Sequence, residues 1–372
     1  MKHILMAAGA LAFSLTPLYA QNFDDPQEFA KQRDQLQAEP MGPEGQPWLQ
    51  YIGGDMVDTA ALGLEAPATV CFSNAGVNNP WRVVGYTNMV EELKNHASIA
   101  DFIHVDAEGS DDKQIADIDD LLAGGDCDVM IVSPNTTAAL TPAVERACEA
   151  MPVIVFDRGV NTDCPVSFIH PVGGYGFGIQ GAEFITSKLD EGANVLMLRI
   201  LPGVDVLETR YSAGRRILEE AGMNIVGAEF TDGDNAKTKS IVEDYLMRGS
   251  IDAVWMDAGA TAVAAIEAFE DSGYDIPVFV GEDQQDFLRK WQDEGLTAIA
   301  PTYPTYQWRT AVIAAARVIE GEALPGPEWV LPQPAIVQEN LDDYVNPAMP
   351  PLHYAMCGCE EMADYPQAWG GN

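Results

Sequence analysis

Val129-Met-Ile-Val132, Ser133-Pro-Asn-Thr-Thr137, the segment Leu140–Ala150, and Val153-Ile-Val-Phe156-Asp157-Arg158 follow one another almost without a gap. The first and last runs are short and apolar at every position, the signature of strands buried on both faces of a parallel sheet. Between them Leu140, Val144, Ala147, Cys148 and then Met151 recur at helical spacing, which predicts a helix with one face packed on that sheet. The polar turn Ser133–Thr137 suits the start of that helix, its side chains free to cap it. Strand, turn, helix, strand, ending abruptly in an acid and a guanidinium, is a β-α-β unit with a charged carboxyl edge.

The same unit repeats outward. Upstream lie the runs Ala68–Phe72 and Ile99–Val105; downstream lie Val166–Ile169, Val195–Ile200, Ile225–Phe230, Ala253–Met256, Val278–Val280 and Thr297–Ala300. Amphipathic stretches separate them at 81–96, 113–122, 178–189, 208–221, 236–247, 261–272, 284–294 and 306–319. Alternation of this kind predicts an α/β chain with parallel sheets. A single eight-stranded α/β barrel competes, but about ten strands are better housed in two doubly wound lobes.

Composition narrows the partners. The 372 residues carry 57 Asp+Glu against 20 Lys+Arg, a net charge of −37. Such a surplus of acid opposes binding to nucleic-acid phosphates or anionic membranes. With 47% hydrophobic and 21% charged residues the chain reads as folded and globular, not as an acidic tail. Residues 1–20 stand apart: Lys2, an apolar run from Ile4 to Phe13, and a close at Ala20 read as a cleaved secretory signal, which predicts a soluble exported protein. Residues 21–65 are polar and broken by prolines and read as an N-terminal extension with one short helix near 26–37; the segment from Leu324, rich in Pro and aromatics, reads as an ordered tail packed on the lobes.

Export permits disulfides among Cys71, Cys127, Cys148, Cys164, Cys357 and Cys359, although Cys71, inside an apolar run, also reads as a plain buried thiol. Cys357-Gly-Cys359 is too tight for a four-ligand zinc motif, so disulfides are favoured over metal. Gly176-Phe-Gly178-Ile-Gln-Gly181 matches a dinucleotide fingerprint, but no acidic residue ends the following strand; the glycines are read as helix–sheet packing positions. Asp232-Gly-Asp234 lacks the glycine a calcium loop needs. No nucleophile with a positioned base stands out, so no enzyme, cofactor or metal is expected.

The informative residues stand where strands end, since ligands of open parallel sheets bind beyond the carboxyl edges. Asn78-Asn79-Pro80-Trp81-Arg82 follows the first strand, Asp157-Arg158 ends another, and Asp257 and Gly281-Glu282-Asp283 end two more. Carboxylates accept, guanidinium groups donate in a fixed fork, amides do both, and an indole covers C–H faces: together these suit a sugar.

The segments Asn78–Trp81, Ile154–Arg158 and Gly281–Asp283, in that order, resemble the periplasmic sugar-binding proteins of the ribose/galactose type, the receptors of ATP-binding-cassette importers. The resemblance runs from about 66 to 321. It implies two similar lobes joined by three crossings and closing by a hinge: 66–171 with 302–328 as the first lobe, 172–301 with 329–345 as the second, and 346–372 as the tail. It implies Asn79 and Trp81 against the sugar, Asp157 and Arg158 on its oxygens, Arg210 and Asp283 from the second lobe, Arg82 at a position of other residue type, Asp257 beside Ala258, which stands where an Asn is common, and Thr302 or Tyr303 near a frequent Gln. Arg82, where an aromatic is common, suits an acidic or unusual ligand. The implied partners are a monosaccharide or polyol and a membrane permease, with the receptor a monomer. A sensor module for a membrane kinase and a secreted carbohydrate-active enzyme are the alternatives. The related DNA-binding repressors are opposed by the export signal and the absence of a helix-turn-helix segment.

Overall fold

A computed structural model describes residues 23–372. The expected export signal lies outside the described residues. The N-terminal extension carries helix α1 (Pro26–Gln35) and strand β1 (Asp55–Val57). Asp25 caps α1 by accepting from the amides of Gln27 and Glu28, with Pro26 at the first helical position. Then come β2 (Ala68–Asn74), α2 (Pro80–Leu93), β3 (Ile99–Asp106), α3 (Asp111–Gly124), β4 (Val129–Ser133), α4 (Thr137–Ala150), β5 (Val153–Phe156) and β6 (Ser167–Pro171). The chain continues through α5 (Gly174–Lys188), β7 (Asn194–Arg199), α6 (Asp205–Glu220), β8 (Asn224–Phe230), α7 (Asn235–Leu246), β9 (Ala253–Met256), α8 (Ala262–Asp271), β10 (Val278–Val280), α9 (Gln285–Glu294) and β11 (Ala298–Pro301). It ends with α10 (Gln307–Glu320), β12 (Leu324–Gly326), β13 (Glu328–Leu331), β14 (Ala335–Ile336) and α11 (Leu341–Tyr344).

Two six-stranded sheets result, ordered β3-β2-β4-β5-β6-β13 and β8-β7-β9-β10-β11-β14. All pairings are parallel except β14 on β11. In each sheet the strand order reverses beside the lobe's first strand: β2 has β3 on one side and β4 on the other, and β7 has β8 and β9. Loops leaving the carboxyl edges at such a switch point diverge and leave a crevice.

The lobes are joined by three crossings, after β6, after β11 and after β13. Because β13 runs parallel to β6, pairing Trp329 with Ile169, the third crossing follows Leu331. The boundary expected at 328 therefore falls three residues early. The crossings are tied to one another: the Gln333 side chain accepts from the Gly173 amide at 2.7 Å and donates to its carbonyl at 3.2 Å.

The Gly176–Gly181 segment lies inside α5, and its glycines are places of close approach. A Cβ on Gly178 would stand 2.2 Å from the Arg210 carbonyl oxygen, and one on Gly181 would stand 2.7 Å from Val280. α5 therefore beds against α6 and the sheet, which fixes where Arg210 projects. Asp234 caps α7 by accepting from the Lys237 amide, the role that Asp232-Gly-Asp234 takes here. The expected capping of α4 is not made: Asn135 and Thr136 donate instead to the Asp111 carboxylate at 2.8 and 2.9 Å.

Three disulfides join Cys71 to Cys127, Cys148 to Cys164 and Cys357 to Cys359. Cys71 is thus bonded, and the plain buried thiol is corrected: its neighbour arrives with the turn before β4, 56 residues on. Both extensions span the two lobes. α1 reaches α5 through Arg33–Glu183 at 2.8 Å, while Lys31 meets Glu328 beside the first sheet at 3.1 Å. In the tail, the Trp369 indole donates to Asn88 of α2 at 2.8 Å, while the amides of Gln285 and Asp286, opening α9, donate to the carbonyls of His353 and Pro351.

Candidate ligand-binding site

The crevice between the carboxyl edges holds a cavity of about 420 Å³ lined from both lobes. From the first lobe come Asn79, Trp81, Arg82, Asp157 and Arg158; from the second, Arg210, Glu282 and the apolar side chains of Ile200, Leu201, Val204, Val206 and Leu207; from the second crossing, Tyr303; and from the tail, Tyr354.

Each polar residue is held by the element that carries it. Asn79 is the N-cap of α2, its Oδ1 accepting from the Arg82 amide at 3.0 Å. Asp157 follows β5 with φ of 69°, a left-handed turn that Asp tolerates better than most residues. That turn sets its carboxylate against Arg82, Nη2 to Oδ2 at 2.9 Å, with both side chains only 4% exposed. Arg82 Nη1 also donates to Asn74 Oδ1 at 3.2 Å and Ser133 Oγ at 3.3 Å. Burial lowers the Arg82 pKa to about 10, the Asp157 charge opposing that fall, so the guanidinium stays ionised near neutrality. Arg158 Nε, buried and without a hydrogen bond, lies 4.0 Å from the same Asp157 oxygen, and the guanidinium donates to the Asn135 carbonyl.

Across the crevice Arg210 donates to the Asp257 carbonyl at 2.6 Å and meets Glu282 Oε1 at 3.3 Å. Its guanidinium lies over the rings of Phe177 and Tyr303, 4.0 and 4.8 Å from their centroids, and its buried Nε is unpartnered. The Trp81 indole N–H donates to the Tyr303 carbonyl at 2.7 Å, and the Tyr303 hydroxyl to the Asp157 carbonyl at 3.2 Å. Tyr303 thereby ties the second crossing to the first lobe's site.

The structure brings together Asn79, Trp81, Arg82, Asp157, Arg158 and Arg210 and leaves three expected residues out of the cavity wall. Asp257 turns back, Oδ1 accepting from the Ile200 amide at 2.7 Å. Asp283 is fully buried, and its Oδ2 accepts from the Met356 amide at 2.7 Å, so the tail takes the carboxylate that was expected to face ligand. Thr302 donates to the Pro334 carbonyl and joins two crossings. Burial raises both Asp257 and Asp283 to about 7. Glu282, one residue before Asp283, is the carboxylate that lines the wall. Sequence reading offered Tyr303 only as the alternative to Thr302 and missed Glu282 and Tyr354. Glu282 lies inside a quoted motif, but Tyr354, donating to Glu282 at 3.3 Å, had no local signal.

Residues 70–323 match the family model described as periplasmic binding protein domain. The chain belongs to that family. Within it, the chain is 28% identical over 256 residues to the ribose import binding protein of Bacillus subtilis, covering 68% of this chain and 82% of that one. Among solved structures of similar fold are an ABC transporter solute-binding protein of Bacillus halodurans with bound myo-inositol (22% identity, 76% of this chain and 98% of that one, TM-score 0.67). Another is the fructose-binding periplasmic domain of a hybrid two-component system (22% identity, 74% and 92%, TM-score 0.63). For a periplasmic binding protein the interlobe crevice is where a ligand is expected to lie. Among the described residues no helix is long and apolar enough to cross a membrane.

Proposed function

We propose that this periplasmic binding protein is the exported receptor of an ATP-binding-cassette importer, capturing a monosaccharide or related polyol and presenting it to a membrane permease as a monomer. One observation carries the reading: each lobe supplies its own guanidinium–carboxylate pair to one cavity, Arg82–Asp157 from one side and Arg210–Glu282 from the other, and the Trp81 indole lines the same cavity. Such pairs offer fixed donors and acceptors to hydroxyl groups, and the indole covers C–H faces. A ligand that touches both walls binds the closed arrangement better than the open one and shifts the hinge toward closure. Asn79, Trp81, Asp157, Arg158 and Arg210 contact it, and no bond is made or broken. The relatives' printed ligands, ribose and myo-inositol, support the polyol class.

A thermal-shift screen of ligand-free protein against pentoses, hexoses, their acids and cyclic polyols tests this; a ligand at 100 times its Kd adds about 2.7 kcal/mol of stability. No shift with any of them refutes the reading. The fructose-binding domain of a two-component system favours a second reading, a sensor that hands closure to a membrane kinase. Co-purification with a permease or with a kinase separates the two.

A further inference from the structure

The charges of the cavity wall do not balance. Arg82, Arg158 and Arg210 face it with Asp157 and Glu282; the remaining acid of the wall, Asp232, is exposed and paired with Lys237 at 2.6 Å. The second lobe is matched one to one, Arg210 with Glu282 at 3.3 Å. The first lobe is not: a single carboxylate serves two guanidinium groups, Arg82 at 2.9 Å and Arg158 at 4.0 Å. Asp106, the next acid near Arg82, stands outside the cavity wall, its Oδ1 accepting from the Glu108 amide at 2.8 Å. Behind the second wall Arg199 is taken by Glu208 at 2.7 Å and lies 3.8 Å from Asp257, outside the cavity. In the cavity wall the guanidinium groups therefore outnumber the carboxylates that pair with them by one, in the Arg82–Asp157–Arg158 cluster. Arg158 holds the longer of the two contacts: its Nε, 4.0 Å from Asp157 Oδ2, is buried without a hydrogen bond, and its side chain is 20% exposed. This surplus stands in a chain of net charge −37, whose overall field repels anions.

Resting on the sugar-receptor reading above, we propose that the ligand is a sugar acid, a polyhydroxylated molecule with one carboxylate, which sits on Arg158 while its hydroxyls meet Asp157, Arg210 and Glu282. A buried guanidinium is stabilised by a paired carboxylate, and the planar fork matches carboxylate geometry. The surplus is a single charge, whereas a phosphate ester brings about −1.5 to −2. That selects the carboxylate over the phosphorylated sugar.

Calorimetric titration of ligand-free protein with matched pairs tests this: D-glucose and D-glucuronate, D-galactose and D-galacturonate, with D-gluconate and D-glucose 6-phosphate alongside. The expected result is an acid that binds about tenfold or more tighter than its uncharged parent, as a forked, charge-assisted contact provides. In Arg158→Gln that preference falls to within about threefold, while Arg158→Lys, which keeps the charge, retains part of it. A neutral hexose binding as well as its acid overturns the proposal and leaves the sugar receptor standing. So does tighter binding of the phosphate ester, or a preference unchanged in Arg158→Gln. Binding of neither acids nor neutral sugars removes the receptor reading and this proposal together. If Arg158→Gln does not fold, the matched pairs on the unaltered protein decide alone.

Discussion

Replacing Asp157 with Asn keeps the side chain's size and a residue type that accepts the left-handed backbone, and removes only the charge. In the ligand-free protein that leaves the Arg82 guanidinium, 4% exposed, with Asn74, Ser133 and the Gly76 carbonyl but no anion. Breaking a buried pair from one side costs about 3–5 kcal/mol; with an amide oxygen still able to accept, the lower end, about 3 kcal/mol, is expected. Arg82→Met leaves Asp157 with Arg158 alone, at 4.0 Å, and costs less than Asp157→Asn. In the double variant neither member of the Arg82–Asp157 pair is left charged without the other, so its cost falls short of the sum by about 1.5 kcal/mol or more. Urea unfolding followed by tryptophan fluorescence at neutral pH, with the four proteins side by side, measures this. Raising the salt leaves the coupling nearly unchanged, since a buried pair is poorly screened. Additive single effects, or an Asp157→Asn protein as stable as the parent, would refute the view that these groups form one buried unit.

Stability of the ligand-free protein rises as the pH falls from 8 to 6. Asp257 and Asp283 titrate near 7 when folded and near 4 when unfolded, so the folded state takes up protons first across that window. Each contributes about 1.4 kcal/mol over those two units, and Asp257→Asn with Asp283→Asn flattens the slope seen in thermal melts. His353 acts in the opposite sense, because burial lowers it to about 4 and its contribution is lost at more acid pH. Removing the Cys71–Cys127 bond with a double Ala substitution costs about 4 kcal/mol by chain entropy for a loop of 56 residues, read from urea midpoints. Gly178→Ala forces α5 from α6, because the new methyl would stand 2.2 Å from the Arg210 carbonyl oxygen; loss of ligand affinity with secondary structure retained in circular dichroism is the expected result.

Much of this architecture is legible in local runs. Strands buried on both faces must be apolar at every position, so β4 and β5 announce themselves, and their helices follow from the stripe Leu140, Val144 and Ala147. The positions of Asn79, Trp81, Asp157 and Arg158 could be read because each adjoins a strand end or opens a helix; Arg210, in the second turn of α6, came only from the family resemblance. Arg82 was legible as a residue near the ligand, but its burial in an ion pair was not, since Asp157 is 75 residues away. The choice between Glu282 and Asp283 was misread for a similar reason. Successive side chains after β10 point to opposite sides, and which side is the crevice depends on the Met356 amide, supplied by a tail 73 residues on. Thr302 was misplaced because the Pro334 carbonyl that takes its hydroxyl belongs to a different crossing.

By itself the amino-acid order determined the elements, their alternation, the acidic solvent face and the charged strand ends, because these depend on neighbours a few residues apart. Tertiary structure alone decided the cysteine partners, the crossing after Leu331, the entry of Tyr354 into the cavity and the sharing of Asp157 between Arg82 and Arg158. Those depend on groups distant in the chain meeting where water is excluded, and there a few tenths of an ångström decide which charge is paired.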